Sequence, residues 1–239
     1  MKSAAGPEIH AVHPWTPGKH EKSARHQLLS DDERAQLAKI ATIVRFNKGA
    51  LIYQEGDTAD AAFNIISGVV TAFRTISDAE HVLSFLYPGD LFGLSEEGQF
   101  SYSAKATTAV MAYKMPLSAV RRILDRNSDL DVNVIIKLCE RLREAQRHAI
   151  ILSQKRATTR LAMFLDLQEH LQAARGESVS EIHLPMDRSS IAAYLGLTLA
   201  AVSRGFRTLA SKKIVSCRTL HYVTVLNRDA FNKLADMRP

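Results

Sequence analysis

Residues 1–27 carry no repeating apolar pattern. Pro7, Pro14 and Pro17, two glycines and four histidines interrupt any period, which predicts a loose arm. Ser30, with Glu33 three positions on, has capping-box spacing and predicts a short helix over about 31–40. From Thr42 to Met115 the pattern changes to short β-rich runs at 50–53, 63–66, 69–74, 81–86 and 110–114. Gly49, Gly56, Gly68, Gly89 and Gly98 punctuate them, and residues 77–80 read as a hairpin tip. Strands this short, with turns this regular, predict a sandwich or roll.

After Pro116 the period becomes helical, and a long helix is expected beyond Asn127-Ser128-Asp129. Along it Ile135, Leu138, Leu142, Ala145, Ala149 and Leu152 are spaced 3, 4, 3, 4 and 3, a period of 3.5. That is the seam of a helix lying along a partner helix, so a homodimer is expected. Lys137, Glu140, Arg141, Arg143, Glu144 and Arg147 fall between as a solvated face. The bland alternative is a helix packed on its own domain. A second amphipathic helix follows over about 155–174, with Leu161, Phe164, Leu165 and Leu171 inward and Gly176 at its end.

The segment 184–226 carries the most specific pattern. Asp187 is placed to cap one helix whose inward residues are Ile191, Ala192 and Leu195. Gly196 supplies a tight turn, and Thr198 is placed to cap a second helix with Val202, Phe206 and Leu209 inward. This is helix-turn-helix spacing. The runs 214–217 and 222–226 read as a small hairpin, a wing, and Asp229 as the cap of a last helix. In such a unit the second helix enters the major groove of a duplex. Leu199, Ala200, Ser203, Arg204 and Arg207 would then face base edges. Arginine presents a planar fork to guanine O6 and N7. Thr198, Arg188, Ser189, Lys212, Lys213 and Arg218 would meet phosphates.

Charge agrees with this placement. Residues 1–153 hold 18 Lys+Arg and 18 Asp+Glu, whereas residues 154–239 hold 13 against 7, so the net +6 sits at the C-terminal end. A compact basic segment fits a polyanion such as double-stranded DNA. Neither a signal peptide nor a membrane-length apolar run is evident, so the expected location is the cytoplasm, with no membrane partner. Cys139 and Cys217 are too far apart in sequence to be a metal knuckle or a disulfide framework, and both are expected as reduced thiols; no metal site is expected. No Walker loop, HExxH helix or paired nucleophile and base is present, so the chain is not expected to be an enzyme.

Five stretches in order carry a resemblance: KGALIYQEGDTADAAFNIISG with LYPGDLFG, the long helix, RATTRLAMFL, LPMDRSSIAAYLGLT and VSR. Over about residues 28–236 they resemble the CRP/FNR superfamily of transcription regulators. The resemblance implies an α+β fold: an N-terminal double-stranded β-helix (a cyclic-nucleotide-binding-like β-roll), a long dimerisation helix and a C-terminal winged helix-turn-helix. It divides the chain into an arm (1–27), a sensor roll (28–128), a dimerisation helix (129–153) and a DNA-binding domain (154–239). It also implies a palindromic site and, in an activator, contact with RNA polymerase. Ser203 and Arg204 match the S-R of the E-x-x-S-R pattern in the FNR/FixK branch, which favours TTGAT-like half-sites. Ala200 stands where that branch has glutamate. Alanine cannot accept from a base amino group, so an altered preference at that base is expected.

The signal is less determined. The cyclic-nucleotide cassette would need a Gly-Glu-Leu start and an Arg-Ser pair, but GDLFGLSEEGQFSYSAKATTA has neither and offers Lys105 as its cation. An iron–sulfur cluster would need a cysteine cluster in the arm, where none occurs. Haem remains open, with His10, His13, His20, His26 and His81 as candidate ligands. Cys217 is a redox candidate, because an oxidised, anionic side chain in the wing would repel phosphates. The leading reading is a regulator without a ligand, controlled by its own abundance. The alternatives are a haem-based or other small-molecule-responsive regulator of the same family, or a ligand-binding module acting through protein contacts.

Overall fold

A computed structural model describes residues 39–95, 98–124 and 128–235. His10, His13, His20 and His26 and most of the helix expected over 31–40 lie outside them; Lys39 and Ile40 are helical.

Eight short strands come first: β1 (Thr42–Phe46), β2 (Leu51–Tyr53), β3 (Ala61–Ser67), β4 (Val70–Ile76), β5 (Ala79–Leu86), β6 (Leu91–Phe92), β7 (Ser103–Ala106) and β8 (Val110–Pro116). They form two antiparallel sheets, ordered β1-β8-β3-β6 and β2-β7-β4-β5. Phe63, Ile65, Phe92 and Ala112 of one sheet meet Tyr53, Val70, Ala72 and Ala104 of the other in one core, which makes the roll. The β4–β5 hairpin turns on Ser77 and Asp78, both at positive φ. Two consecutive residues of that kind match the right-handed twist of the flanking strands. β1, β6 and β7 were not among the expected strands. The run Ser-Ala-Lys-Ala of β7 has no β-branched residue; it is extended because β2 and β4 take its backbone groups on both sides.

Helices α1 (Leu117–Leu124), α2 (Ser128–Ser153) and α3 (Ala157–Ala174) follow. On α2, Ile151 is fully buried, whereas every residue of the 3.5-period stripe faces solvent in the single chain: Ile135 is 57 %, Leu138 53 % and Leu142 60 % exposed. Helix α3 buries the four residues expected inward, Leu161, Phe164, Leu165 and Leu171, and others besides. Leu161, Ala162, Met163, Phe164 and Leu165 are all fully buried in succession, and Gln168 and Gln172 are buried too. A turn buried on every side is a central one; the middle of α3 is packed against by the roll and by the elements that follow. Gln172 tolerates burial because its amide bonds the backbone of Ser178, Glu181 and His183.

The C-terminal part holds β9 (Ile182–His183), α4 (Arg188–Leu195), α5 (Leu199–Ser211), β10 (Val215–Cys217), β11 (Tyr222–Val225) and α6 (Arg228–Ala235). Its sheet runs β10-β11-β9. Asn227, not Asp229, caps α6: its Oδ1 accepts from the Ala230 amide at 2.9 Å, and Asp229 lies inside the first turn.

The outer face of β4 and β5 supplies Phe73, Val82 and Phe85 to the core that α3 and α4 share. Tyr194 of α4 is the pivot of that contact. Its ring lies 5.4 Å from both Phe85 and Phe164 and stacks on His148 of α2 at 3.8 Å. The His148 Nε2–H donates to the Tyr194 carbonyl at 2.6 Å, and the same ring bonds the backbone of Leu83 on β5. Roll, long helix and winged part therefore meet at one imidazole. Burial pushes its pKa below the ordinary 6.5, against the opposing pull of the two carbonyl contacts.

Candidate nucleic-acid interface

Helix α4 begins where Asp187 Oδ1 accepts from the Ser190 amide and the Ser189 hydroxyl, each at 2.7 Å. Partial burial works to raise the Asp187 pKa, but these hydrogen bonds outweigh it and hold the carboxylate below its usual value. The helix ends at Gly196, whose φ of 59° is left-handed and favours a residue without Cβ. Two residues on, Thr198 Oγ1 accepts from the Ala201 amide at 3.1 Å and starts α5. Its hydroxyl proton stays available, at the positive end of a helix dipole.

Val202, Phe206 and Leu209 bury one side of α5, and Gly205 lets it approach α3 closely. A Cβ at Gly205 would stand 3.0 Å from Leu161 Cδ2. The opposite side faces solvent. Leu199, Ala200, Arg204 and Arg207 are exposed and Ser203 is half-buried, so the five expected base-facing residues share one surface.

The arginines of this part divide into two groups. Arg160 bonds the carbonyls of Gln154 and Leu195 at 2.7 and 2.9 Å. Arg175 pairs with Glu177, Arg228 with Glu169, and Arg218 with Glu181 through two bonds of 3.0 and 2.8 Å. Among the described residues, Arg204 and Arg207 have no acidic partner. Unspent cations therefore include the two on the outward face of α5, with exposed Lys212 and Lys213 at its C-terminal end, and also exposed Lys155 and Arg156 before α3.

Three expected phosphate contacts are otherwise engaged. The Arg188 guanidinium lies 3.2 Å from the centre of the Phe206 ring and bonds Cys217. Burial lowers its pKa, which the thiol opposes. Arg218, held by Glu181, also covers the Tyr222 ring at 4.4 Å. Ser189 spends its proton on Asp187. Burial pushes the Cys217 thiol up, although Arg188 pulls it down, so the thiolate that oxidation needs is disfavoured. Three residues that position the reading head were not singled out from sequence: Arg160, His148 and Tyr194. Arg160 lay inside RATTRLAMFL, the one signal that could have marked it. It fastens the end of α2 to the turn between α4 and α5.

Comparison with known proteins bears on this arrangement. Residues 43–127 match the family "Cyclic nucleotide-binding domain" and residues 159–234 match the "Crp-like helix-turn-helix domain". The nitrogen fixation regulation protein FixK of Bradyrhizobium diazoefficiens is 30 % identical over 168 residues, 70 % of each chain. This chain belongs to the CRP/FNR family of transcription regulators. The transcriptional activator protein anr of Pseudomonas aeruginosa is 30 % identical over 173 residues, 71 % of this chain and 70 % of its own. The structure of FixK2 from Bradyrhizobium japonicum superposes with a TM-score of 0.76 at 26 % identity, over 84 % of this chain and all of that one. As in its CRP/FNR relatives, a cyclic-nucleotide-binding-like roll precedes a helix-turn-helix, and the role is regulation rather than catalysis.

In this CRP/FNR chain the roll, α2 and the winged part enclose a cavity of about 320 Å³. Leu83, Phe85, Leu91, Phe92 and Leu94 line it from the roll, Leu138, Arg141 and Ala145 from α2, and Leu167, Leu171 and Tyr194 from the winged part. Arg141 is its cation and is already shared by Asp90 and Glu144, at 3.0 Å each. Burial works to lower the Arg141 pKa, but the two carboxylates outweigh it. Lys105 is likewise held by Glu80 and lies over the Phe73 ring. No histidine, cysteine or methionine lines the cavity, and His81 is exposed on the β4–β5 hairpin. Among the described residues, Tyr102 and Tyr194 are the lining groups of a type that serves as an axial haem ligand, and the arm histidines lie outside those residues. Among the described residues, no helix is long and apolar enough to cross a membrane.

Proposed function

We propose that this chain works in the cytoplasm as a homodimeric, sequence-specific regulator, an activator of transcription, that binds a palindromic FNR-like DNA site. One observation carries the reading: Arg204 and Arg207 stand without an acidic partner on the outward face of α5, while Arg160, Arg175, Arg218 and Arg228 are tied down. A cation on a surface built for contact, with no partner of its own, is available to guanine and phosphate.

Dimerisation is supported by the exposed stripe of α2. Four large or medium apolar side chains and two alanines on one narrow line, facing water, are the composition of a coiled-coil seam and not of a solvated face. Two such helices zipped along a twofold axis would present two α5 helices to successive major grooves, about 34 Å apart. That symmetry is what makes the site a palindrome. The names of the FixK and anr relatives support regulation with an activating sign.

The roll serves as a scaffold with no cyclic nucleotide bound: Arg141, the cation that lines the cavity, is neutralised by Asp90 and Glu144, which works against binding a phosphodiester. A second reading, a regulator answering to an uncharged small molecule, is favoured by the apolar cavity. Selection of bound duplexes from a random pool, followed by footprinting and by transcription with purified RNA polymerase, tests the function. A palindromic footprint and raised transcription are expected. Absence of any preference over a scrambled competitor overturns it.

A further inference from the structure

We infer that Arg160 is a positioning residue that sets which half-site spacing the protein accepts, by tying the long helix to the turn of the reading head. The inference rests on the dimeric DNA-binding function proposed above and names what fixes its geometry.

A dimer can measure spacing only if each recognition helix keeps one angle to the helix that pairs the protomers. The chain runs from α2 through α3, β9 and α4 before it reaches α5, so covalent connection alone sets no such angle. Arg160, in the first turn of α3, closes that path. Its Nε–H donates to the Gln154 carbonyl at 2.7 Å, one residue past the end of α2. Its Nη1 donates to the Leu195 carbonyl at 2.9 Å, at the end of α4, and lies 3.4 Å from the Gly196 carbonyl. Helix C-terminal ends carry unsatisfied acceptors and partial negative charge, so one guanidinium bridges two of them. The start of α5 at Leu199 follows within four residues.

A second contact runs beside this bridge. A Cβ at Gly196 would lie 3.5 Å from Arg160 Nη1 and 3.6 Å from Leu152 Cδ2. Leu152 is the last residue of the exposed stripe on α2, so that stripe ends against the turn that leads into α5. Next to it Ile151 is buried in the core that Leu161 and Leu195 share. Apolar burial holds these parts together but has no direction of its own. The planar fork of an arginine, bonded through two of its nitrogens, fixes an angle as well as a distance.

One base pair added between half-sites moves the second by about 3.4 Å and turns it by about 35°. A braced dimer cannot follow that turn, whereas a dimer jointed at 154–157 can. Dissociation constants of the full-length protein would be measured on the palindrome it selects, on duplexes with one central base pair added or removed, and on a single half-site. The native chain is expected to lose about 100-fold on the altered spacings, as one guanine contact and its neighbours fall out of register. Arg160→Ala should match the native chain on the single half-site yet lose less than about tenfold on the altered spacings. Arg160→Lys keeps the charge without the fork and should show the same tolerance; it decides the matter if circular dichroism shows the alanine variant unfolded. If the variants weaken every duplex in the same ratio, or keep the native spacing preference, this inference is overturned and the regulator reading stands. If no palindrome is selected at all, the regulator reading itself fails, and this inference with it.

Discussion

The reading head and the roll contain similar ingredients, short elements, capped or glycine turns and a scatter of cations, yet they use charge in opposite ways. In the roll, Arg74 meets Glu55, Lys105 meets Glu80, Lys114 meets Asp60, and Arg141 at its edge meets Asp90. On α5, Arg204 and Arg207 meet nothing among the described residues. The contrast is one of degree, since Arg45 and Lys48 of the roll are exposed and likewise have no acidic partner among the described residues. Apolar groups differ in arrangement rather than in exposure, because the roll's exposed Ile43, Leu51 and Ile76 stand singly on three strands. The roll buries Phe63, Phe92 and Phe100 in its own core, while α2 leaves Ile135, Leu138 and Leu142 outside. Function in this chain is carried by what folding does not use up.

Breaking that contrast on α2 should have the largest effect. Leu142→Glu places a carboxylate in each of two facing seam positions and removes two leucines from burial, each worth about 1.5–3 kcal/mol. Dimer affinity should drop by at least about 100-fold. Sedimentation of the variant as a monomer, with an unchanged fold by circular dichroism, is the expected result. A dimer of unchanged affinity would mean that the stripe is not the seam.

Next comes Arg204→Ala. A bidentate guanine contact discriminates by about 1–3 kcal/mol, and a dimer makes two. Specific binding should fall by about 100-fold or more, with non-specific binding nearly unchanged. Loss of affinity without loss of base preference would make Arg204 a phosphate contact instead.

How far the sequence could carry this contrast depends on distance along the chain. Asp187, Gly196 and Thr198 act on amides within four residues of themselves, so their roles could be read from spacing alone. The exposed 3.5-period stripe on α2 was equally visible, because a helical period is local. Arg218 is held by a glutamate 37 positions earlier and Arg188 by a ring 18 positions later, and no local pattern announces such partners. The same is true of His148 and Tyr194, 46 positions apart, and of β7, a strand by virtue of its neighbours. The cap of α6 failed for a smaller reason: Asn227 and Asp229 are both good caps, two residues apart.

A milder test concerns the joint between the two regions. His148 is held neutral by burial between roll, α2 and α4. Its folded pKa lies below 6.5, so the unfolded chain takes the proton first as pH falls. Stability is therefore complete above about pH 6.5 and declines as the pH falls from there through the folded pKa, by at most about 1.4 kcal/mol per pH unit. Denaturant midpoints measured from pH 7.5 to 5.5 should fall for the native chain and fall less for His148→Phe. Equal slopes for the two would place the pH dependence elsewhere.

The smallest effect should come from Arg218, which the wing's sequence marked as a phosphate contact but the fold has spent on Glu181. Arg218→Ala removes a charge that is already cancelled, so DNA affinity and its salt dependence should scarcely move. Glu181→Gln does the reverse, leaving the guanidinium in place and unpaired beside the duplex. If unspent charge is what distinguishes the reading surface, that variant should gain one phosphate contact per protomer. The logarithmic salt slope would then steepen by about one for each protomer. A large loss in Arg218→Ala would show instead that the pair opens on DNA, and that this arginine belongs with Arg204 and Arg207.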